Sequence, residues 1–253
     1  MTPPEKHTPE PNGDFTEGLG GSPGASSAAD DSGSLDARAS AGDPLEAPDE
    51  GVEAADLGAD LEEQLLRDPD NLYILLQVAR YHHRLAMQGD DEAFEKAESA
   101  VRNLLERDKH HVEALSILGS LFTILARRSG SMLKRGWYSF RAARTLDKAV
   151  KIDPDDISAR TIRAFTSLVL PRFLKRLKTA VEDFEFLIDV KREHPEKLPD
   201  QMMPKVFFNL GLAYARLGEH ERARDILEGV VAEYPGTREH NRAKSLIERL
   251  RLS

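Results

Sequence analysis

The segment from Pro204 to Pro235 constrains the fold more than any other part of the chain, because small, large and helix-ending residues recur there at fixed spacing. Two small residues, Gly211 and Ala223, allow two antiparallel helices to approach closely, while larger side chains fill the space around that contact. One helix pair cannot bury its own apolar face, so the segment predicts further copies along the chain. The residues that carry the spacing are Phe207, Leu210, Gly211, Tyr214, Ala223, Leu227, Val230 and Pro235, at positions 4, 7, 8, 11, 20, 24, 27 and 32 counted from Pro204.

This spacing resembles that of the tetratricopeptide repeat, a helix-turn-helix unit of 34 residues. Three upstream units follow it with departures. The unit from Leu72 has six extra residues around Gly89, and the unit from Val112 has 11 between its helices, roughly from Arg127 to Tyr138. In the unit from Ile157, Arg163 stands where an apolar residue is expected and Pro171 separates the two helices.

The predicted fold is therefore all-α: a short right-handed superhelix of about four such units, over residues 57–252. Residues 57–69 form a leading half-repeat in this prediction. A last amphipathic helix from Thr237 to Leu250 caps the array. Its apolar face is expected to pack on the preceding unit, and three arginines are expected to stay in water. The apolar residues are Ala243, Leu246, Ile247 and Leu250, and the arginines are Arg238, Arg242 and Arg249.

Residues 1–56 have a different composition, rich in Gly, Pro, Ala, Ser and acids, with Phe15 as their one aromatic residue. Such a segment buries too little apolar surface to offset the entropy of ordering, so it is predicted to be a disordered tail. Residues 1–60 carry 14 acidic and two basic residues, a net charge of −12. The net charge of −9 for the whole chain thus combines an acidic tail with a mildly basic body.

Composition also bears on function. The chain has no cysteine, which excludes disulfides and thiolate chemistry. We find no secretory leader, no apolar run long enough to span a membrane, and no pattern for a metal site, a cofactor site or catalytic residues. The prediction is a cytoplasmic, non-enzymatic protein without cofactor. The resemblance implies an adaptor or scaffold that binds a protein or peptide in its concave groove; oligomeric state stays open.

Positions 2, 5, 9 and 12 of each first helix line the groove in tetratricopeptide repeats. Their register predicts Tyr73, Leu76, Arg80 and His83 from the first unit, Glu113, Ser116, Ser120 and Thr123 from the second, and Lys205, Phe208 and Leu212 from the fourth. Family members that grip a C-terminal carboxylate use Lys and Asn at positions 5 and 9. Leu76, Arg80, Ser116 and Ser120 stand there in this chain, which argues against such a clamp.

A basic block between Arg127 and Lys178 departs from a plain scaffold, with 14 Lys and Arg against four Asp. Three interpretations stay open: a solvated helix face, a site for an acidic protein segment such as the tail, or a site for nucleic acid or an anionic membrane surface. Its two unusual inter-helix segments are expected to lie side by side. The predicted patch consists of Arg127, Arg128, Lys134, Arg135, Trp137, Arg141, Arg172, Lys175 and Arg176.

Overall fold

A computed structural model of the protein describes residues 51–252, which belong to one compact unit. These residues form ten α-helices and three short 3-10 helices, at Arg172–Leu174, Pro195–Lys197 and Asp200–Met202, and contain no strand. The α-helices are α1 (Gly51–Arg67), α2 (Leu72–Met87), α3 (Asp91–Arg107), α4 (Val112–Arg128), α5 (Met132–Ile152), α6 (Ile157–Val169), α7 (Leu177–Glu193), α8 (Met203–Leu217), α9 (His220–Glu233) and α10 (Arg238–Leu252). The all-α prediction is confirmed.

Helix pairs follow one another as the repeat pattern predicts. The pairs are α2 with α3, α4 with α5, α6 with α7, and α8 with α9. Each first helix also contacts the first helix of the next unit, so α2, α4, α6, α8 and α10 form one continuous layer. Helix α1 packs on α2 as the leading half-repeat and α10 packs on α8 and α9 as the cap. This succession is that of a short right-handed superhelix of helix pairs.

Glycines mark the closest helix approaches. A Cβ atom at Gly211 would lie 2.8 Å from Cγ of Leu227, and one at Gly119 would lie 2.6 Å from Cγ of Leu146. Since real Cβ atoms essentially never come this close to another atom, a larger residue at either crossing would require the leucine or the helices to shift. The close contact expected between the helices around Gly211 and Ala223 is therefore present, and the second unit repeats it at Gly119.

The same turn joins three successive units. Asp68, Asp108 and Asp153 each end a second helix, and the backbone carbonyl of each accepts from the N–H three residues later, at 3.2–3.4 Å. The residue that donates there then caps the next first helix with its own side chain: Asn71 accepts from Tyr73 and Ile74, His111 from Ala114, and Asp156 from Ala159. The four residues of this turn thus end one helix and start the next.

The 11 extra residues of the second unit do not form a loop. Helix α4 continues to Arg128, a short turn follows, and α5 starts at Met132, well before its first buried residue, Ser139. Most of the extra residues therefore extend the start of α5. Pro171, in contrast, separates α6 from α7 as expected, in a link that contains a 3-10 turn and Lys175 with a positive φ of 52°.

One predicted boundary and one predicted exposure differ from the structure. Helix α1 starts at Gly51, so residues 51–56 of the predicted tail are helical, while the rest of that tail lies outside the described residues. In the cap, Ala243, Leu246, Ile247 and Leu250 are buried as expected. Arg242, expected in water, is largely buried instead, because its guanidinium stacks 4.1 Å from the ring centre of Phe208.

Candidate partner-binding surfaces

At the N-terminal end of the array, three of the four predicted groove positions of α2 are accessible. Tyr73 is 70% exposed, and Leu76 lies half-buried one turn further along. Arg80 makes a two-pronged ion pair with Glu113 of α4, which ties the first two units together on the groove side. The side chain of Asn71 accepts from the backbone N–H groups of Tyr73 and Ile74, so Tyr73 lies in the capped first turn of α2.

In the middle of the array the predicted groove residues are buried between helices. Nε2 of His83 lies 2.8 Å from Oγ of Ser120, so these two polar groups satisfy each other across the contact of α2 with α4. Ser116 and Thr123 donate instead to carbonyls of their own helix, those of Val112 and Gly119. All four side chains are buried, and they therefore hold neighbouring helices together rather than facing an open groove.

Burial has a marked effect on His83. Its removal from water lowers the pKa of the imidazole from 6.5 to about 4, because the charged form loses its hydration. The side chain is consequently neutral at physiological pH. It is a hydrogen-bonding contact between helices and not a cation for a partner.

At the C-terminal end, the cap covers the predicted groove residues of α8. Phe208 and Leu212 are each 2% exposed, whereas Lys205 stays half-accessible. The stacking of Arg242 from α10 on Phe208 accounts for part of that cover. Of the predicted groove set, accessible side chains are therefore those of Tyr73, Leu76, Arg80, Glu113 and Lys205.

A cavity of about 380 Å³ lies between α1 and α2. It includes Tyr73 and Arg80, together with Gln77 and Arg84, which the groove register does not contain. These four follow one another at spacings of four, three and four residues, so they share one face of α2. Helix α1 supplies the opposite wall. That wall consists of Leu57, Asp60, Leu61 and Gln64. The 3.6-residue period of exposed polar and aromatic residues along α2 is the sequence signal that points to this face.

Part of the basic block is structural. The carboxylate of Asp183, which is fully buried, accepts from Arg163 at 2.7 and 2.8 Å and from Arg160 at 2.8 Å. Asp147 in turn accepts from Arg176 at 2.6 and 2.9 Å and from Arg163 at 3.3 Å. This network joins α5, α6 and α7. It explains why an arginine stands at the apolar repeat position 163, and it places Arg176 of the predicted patch inside the fold.

The remaining basic residues gather at one end of the second and third units. The start of α5 and the link between α6 and α7 lie side by side there, since a Cβ atom at Gly136 would be 3.8 Å from the ring of Phe173. Arg141 stacks between the rings of Phe122 and Trp137, at 4.1 and 4.6 Å. Arg128 pairs with Asp91. The other predicted members at this end are Arg127, Lys134, Arg135, Arg172 and Lys175.

Metal clusters and membrane-spanning helices are both absent from residues 51–252. No group of three or more His, Cys, Asp or Glu in that range is placed to hold a metal ion. None of the helices described is both long and apolar enough to cross a bilayer.

Comparisons with known proteins agree with the fold. The family model described as the tetratricopeptide repeat matches residues 205–237. The structure is similar to the crystal structure of a thermophilic tetratricopeptide-repeat protein of Thermus thermophilus, with a TM-score of 0.54 and 16% identity, covering 85% of this chain and 100% of the other. It is also similar to a tetratricopeptide-repeat protein of Parabacteroides merdae, with a TM-score of 0.51 and 18% identity, covering 79% of this chain and 66% of the other.

The comparison with curated proteins gave no match. The family match identifies residues 205–237 as a tetratricopeptide repeat, and the helix-pair architecture is the fold that this chain shares with the two solved structures. Proteins with this fold generally mediate protein–protein interactions.

Proposed function

We propose that the protein is a non-enzymatic adaptor that binds a peptide segment of a partner protein at the N-terminal end of its groove. The observation that carries the proposal is the cavity between α1 and α2, with exposed Tyr73 at its rim and Arg80 and Arg84 along the same helix face. Tyrosine and arginine are the residue types that most often dominate binding energy at interfaces. In this proposal the adaptor works in the cytoplasm, as the sequence indicates.

The chemistry of the cavity indicates what kind of segment it binds. Leu57 and Leu61 provide an apolar wall, while Arg80 and Arg84 provide cations that can receive a carboxylate. A short segment with an apolar side chain followed by an acidic one matches both features. Arg80 already pairs with Glu113, so an acidic ligand would compete with that pair.

Selection of peptides from a random display library against the full chain tests the proposal. We expect enriched apolar-acidic peptides whose affinity falls about fivefold or more in Tyr73→Ala and in Arg80→Ala, because truncating an interface anchor of this type costs more than about 1 kcal/mol. Glu221→Ala, exposed on α9, is the matched control and should leave affinity unchanged. Enriched peptides that bind all three variants equally well would place the binding site elsewhere.

The acidic tail, which lies outside the described residues, enters the proposal as a modulator. Its charge makes it a competitor for any acidic ligand because it is tethered to the same chain. Removing residues 1–50, which leaves α1 whole, is expected to raise the affinity of an acidic peptide at low salt. An unchanged affinity would contradict this role.

A further inference from the structure

The start of α5 carries a set of large apolar side chains with no core to cover. Met132 is 85% exposed and Leu133 is 86% exposed, and Trp137 and Phe140 are about half exposed. Phe173, on the neighbouring link, is also exposed and lies against Gly136. The cause is the extension of α5 described above, which carries the first turns of the helix beyond the body of the array. We call this surface the α5 tip.

The apolar residues of the tip lie on one side of the helix. Residues 132, 133, 136, 137 and 140 fall within an arc of about 140° when successive residues are turned by 100°. The buried residues of the second half are Ala142, Ala143, Leu146, Ala149 and Val150, and their face is turned by roughly 110° from the centre of that arc and overlaps it at one edge. The helix is therefore amphipathic twice along its length: its second half buries an apolar face in the protein, and its first half presents another apolar face to solvent.

Cations surround this face and acids are missing from it. Residues 127–144 contain six Lys or Arg and residues 170–179 contain four, and neither segment contains an Asp or Glu. Of these ten, Arg128 is paired with Asp91 and Arg176 with Asp147, which are carboxylates of other segments. Lys134 and Arg135 flank the apolar side chains directly in sequence and are exposed. Arg141 and Arg144 stack on the rings of Trp137 and Phe140, which brings positive charge to the aromatic edge of the tip.

We propose that the α5 tip docks on the surface of an anionic lipid bilayer, with the first turns of α5 lying in the interfacial layer. Exposed Leu, Met and Phe side chains would enter the outer acyl region, Trp137 would sit at headgroup level, and the cations would meet lipid phosphates and carboxylates. This docking is peripheral and does not involve a membrane-spanning helix. It uses a different surface from the cavity between α1 and α2, so the two sites are independent.

The combination of side chains favours lipid over the other anionic ligand, nucleic acid. Phosphate recognition on a nucleic acid requires cations, and base stacking requires aromatic rings, but neither gives a role to protruding Met132 and Leu133. A soluble acidic protein segment needs an apolar pocket to fill, whereas the tip is convex and its side chains point outward. Interfacial helices combine these features, with bulky apolar residues on one side and Lys or Arg beside them.

Trp137 provides a direct test, because it is the single tryptophan of the chain. The full chain is titrated with vesicles of phosphatidylcholine containing about one third phosphatidylserine, and with pure phosphatidylcholine vesicles. We expect a blue shift of tryptophan emission and quenching by brominated acyl chains with the anionic vesicles only. The binding should weaken between about 50 and about 200 mM salt, since exposed charges are screened.

Variants separate the apolar from the electrostatic contribution in co-sedimentation with the same vesicles. Leu133→Ser is expected to lower partitioning about tenfold, and Lys134→Gln with Arg135→Gln about 30-fold. The matched controls are Leu66→Ser on α1, where the leucine is equally exposed, and Lys151→Gln at the far end of α5. Both controls should partition like the unchanged protein, and so should Tyr73→Ala. Since all these side chains are exposed, the variants are expected to fold.

Three outcomes would overturn the proposal. The first is unshifted emission with anionic vesicles at low salt. The second is an emission change with a DNA or RNA oligonucleotide that Leu133→Ser leaves intact, which would assign the tip to nucleic acid. The third is a blue shift that grows with protein concentration without vesicles, which would assign it to a second copy of the chain.

Discussion

At the scale of single residues, the most informative side chains are polar ones inside the helix layers. Arg163 interrupts the apolar repeat pattern, yet it donates to two carboxylates on two different helices, Asp183 and Asp147. His83 and Ser120 pair in the same way between α2 and α4. Such pairs need both partners, because one buried polar or charged group alone is costly to leave in the interior.

Asp183→Asn tests whether the buried arginine network needs its shared carboxylate. The change leaves Arg160 and Arg163 without their shared buried countercharge, so we expect the free energy of unfolding to fall by about 3 kcal/mol. Urea denaturation measures it. Asp189→Asn is the control on the same helix, since its pair with Arg192 is exposed and should contribute less than about 0.5 kcal/mol. Equal losses in both variants would show that burial of the network adds nothing.

The neutral state of His83 predicts a pH dependence. Its pKa is about 4 in the folded protein and near 6.5 when exposed, so between these values the unfolded chain binds a proton that the folded chain does not. Stability is therefore complete above about pH 6.5 and decreases as the pH falls, by about 2 kcal/mol at about pH 5. Urea titrations at about pH 7 and pH 5 should show this decrease in the unchanged protein. In His83→Gln the difference should be smaller by that amount, and an unchanged difference would assign it to other groups.

At the scale of helices, the array depends on two close crossings and on one helix that outgrows its unit. Gly119 and Gly211 each lie against a leucine of the paired helix, Leu146 and Leu227, which are fully buried. A Cβ atom at either glycine would overlap the leucine side chain, so that side chain or the helices would have to shift. The first turns of α5, in contrast, are exposed, so we expect substitutions there to have little effect on stability.

Gly211→Val is expected to destabilise the last unit by about 1–3 kcal/mol, since overpacking a close crossing forces the helices to shift. Thermal unfolding followed by circular dichroism measures the loss. Gly229→Ala is the matched control, because Gly229 lies within α9 with no atom near the added Cβ. That change should stabilise by about 0.5–1 kcal/mol through helix propensity. A stabilising Gly211→Val would contradict the close-packing argument.

At the scale of the whole array, the sequence predicted the succession of helix pairs but not which positions face solvent. Periodicity identifies Phe208 and Leu212 as groove positions. The sequence also predicts that α10 packs on this unit, but not that the cap covers these two side chains. The burial of His83 likewise depends on a partner 37 residues away. The extra residues before Tyr138 look like a loop in a repeat count, but continuing a helix satisfies their backbone hydrogen bonds better than a loop would.

Removing the cap tests its role in the array. A chain ending at Thr237 exposes Phe208 and the apolar face that α10 covers, so we expect a lower melting temperature and concentration-dependent self-association. Sedimentation velocity measures the second effect. A chain ending at Leu250 keeps the buried residues of α10 and is the control. A monomeric, equally stable chain without α10 would show that the last unit closes its own face.

The turn shared by Asp68, Asp108 and Asp153 has a consequence for how such an array is assembled. Because the same four-residue geometry links each of the helices α1, α3 and α5 to its successor, the joints are interchangeable. Deletion of the chain between two of these joints removes one complete helix pair and leaves a joint of unchanged geometry. The joint at Tyr234 repeats this pattern, because its carbonyl accepts from the N–H of Thr237 and Thr237 caps α10 by accepting from His240. The joint at His194 is built differently, with two 3-10 helices before α8. Gain or loss of modules by recombination is thus structurally straightforward at the joints that share this turn and constrained at His194.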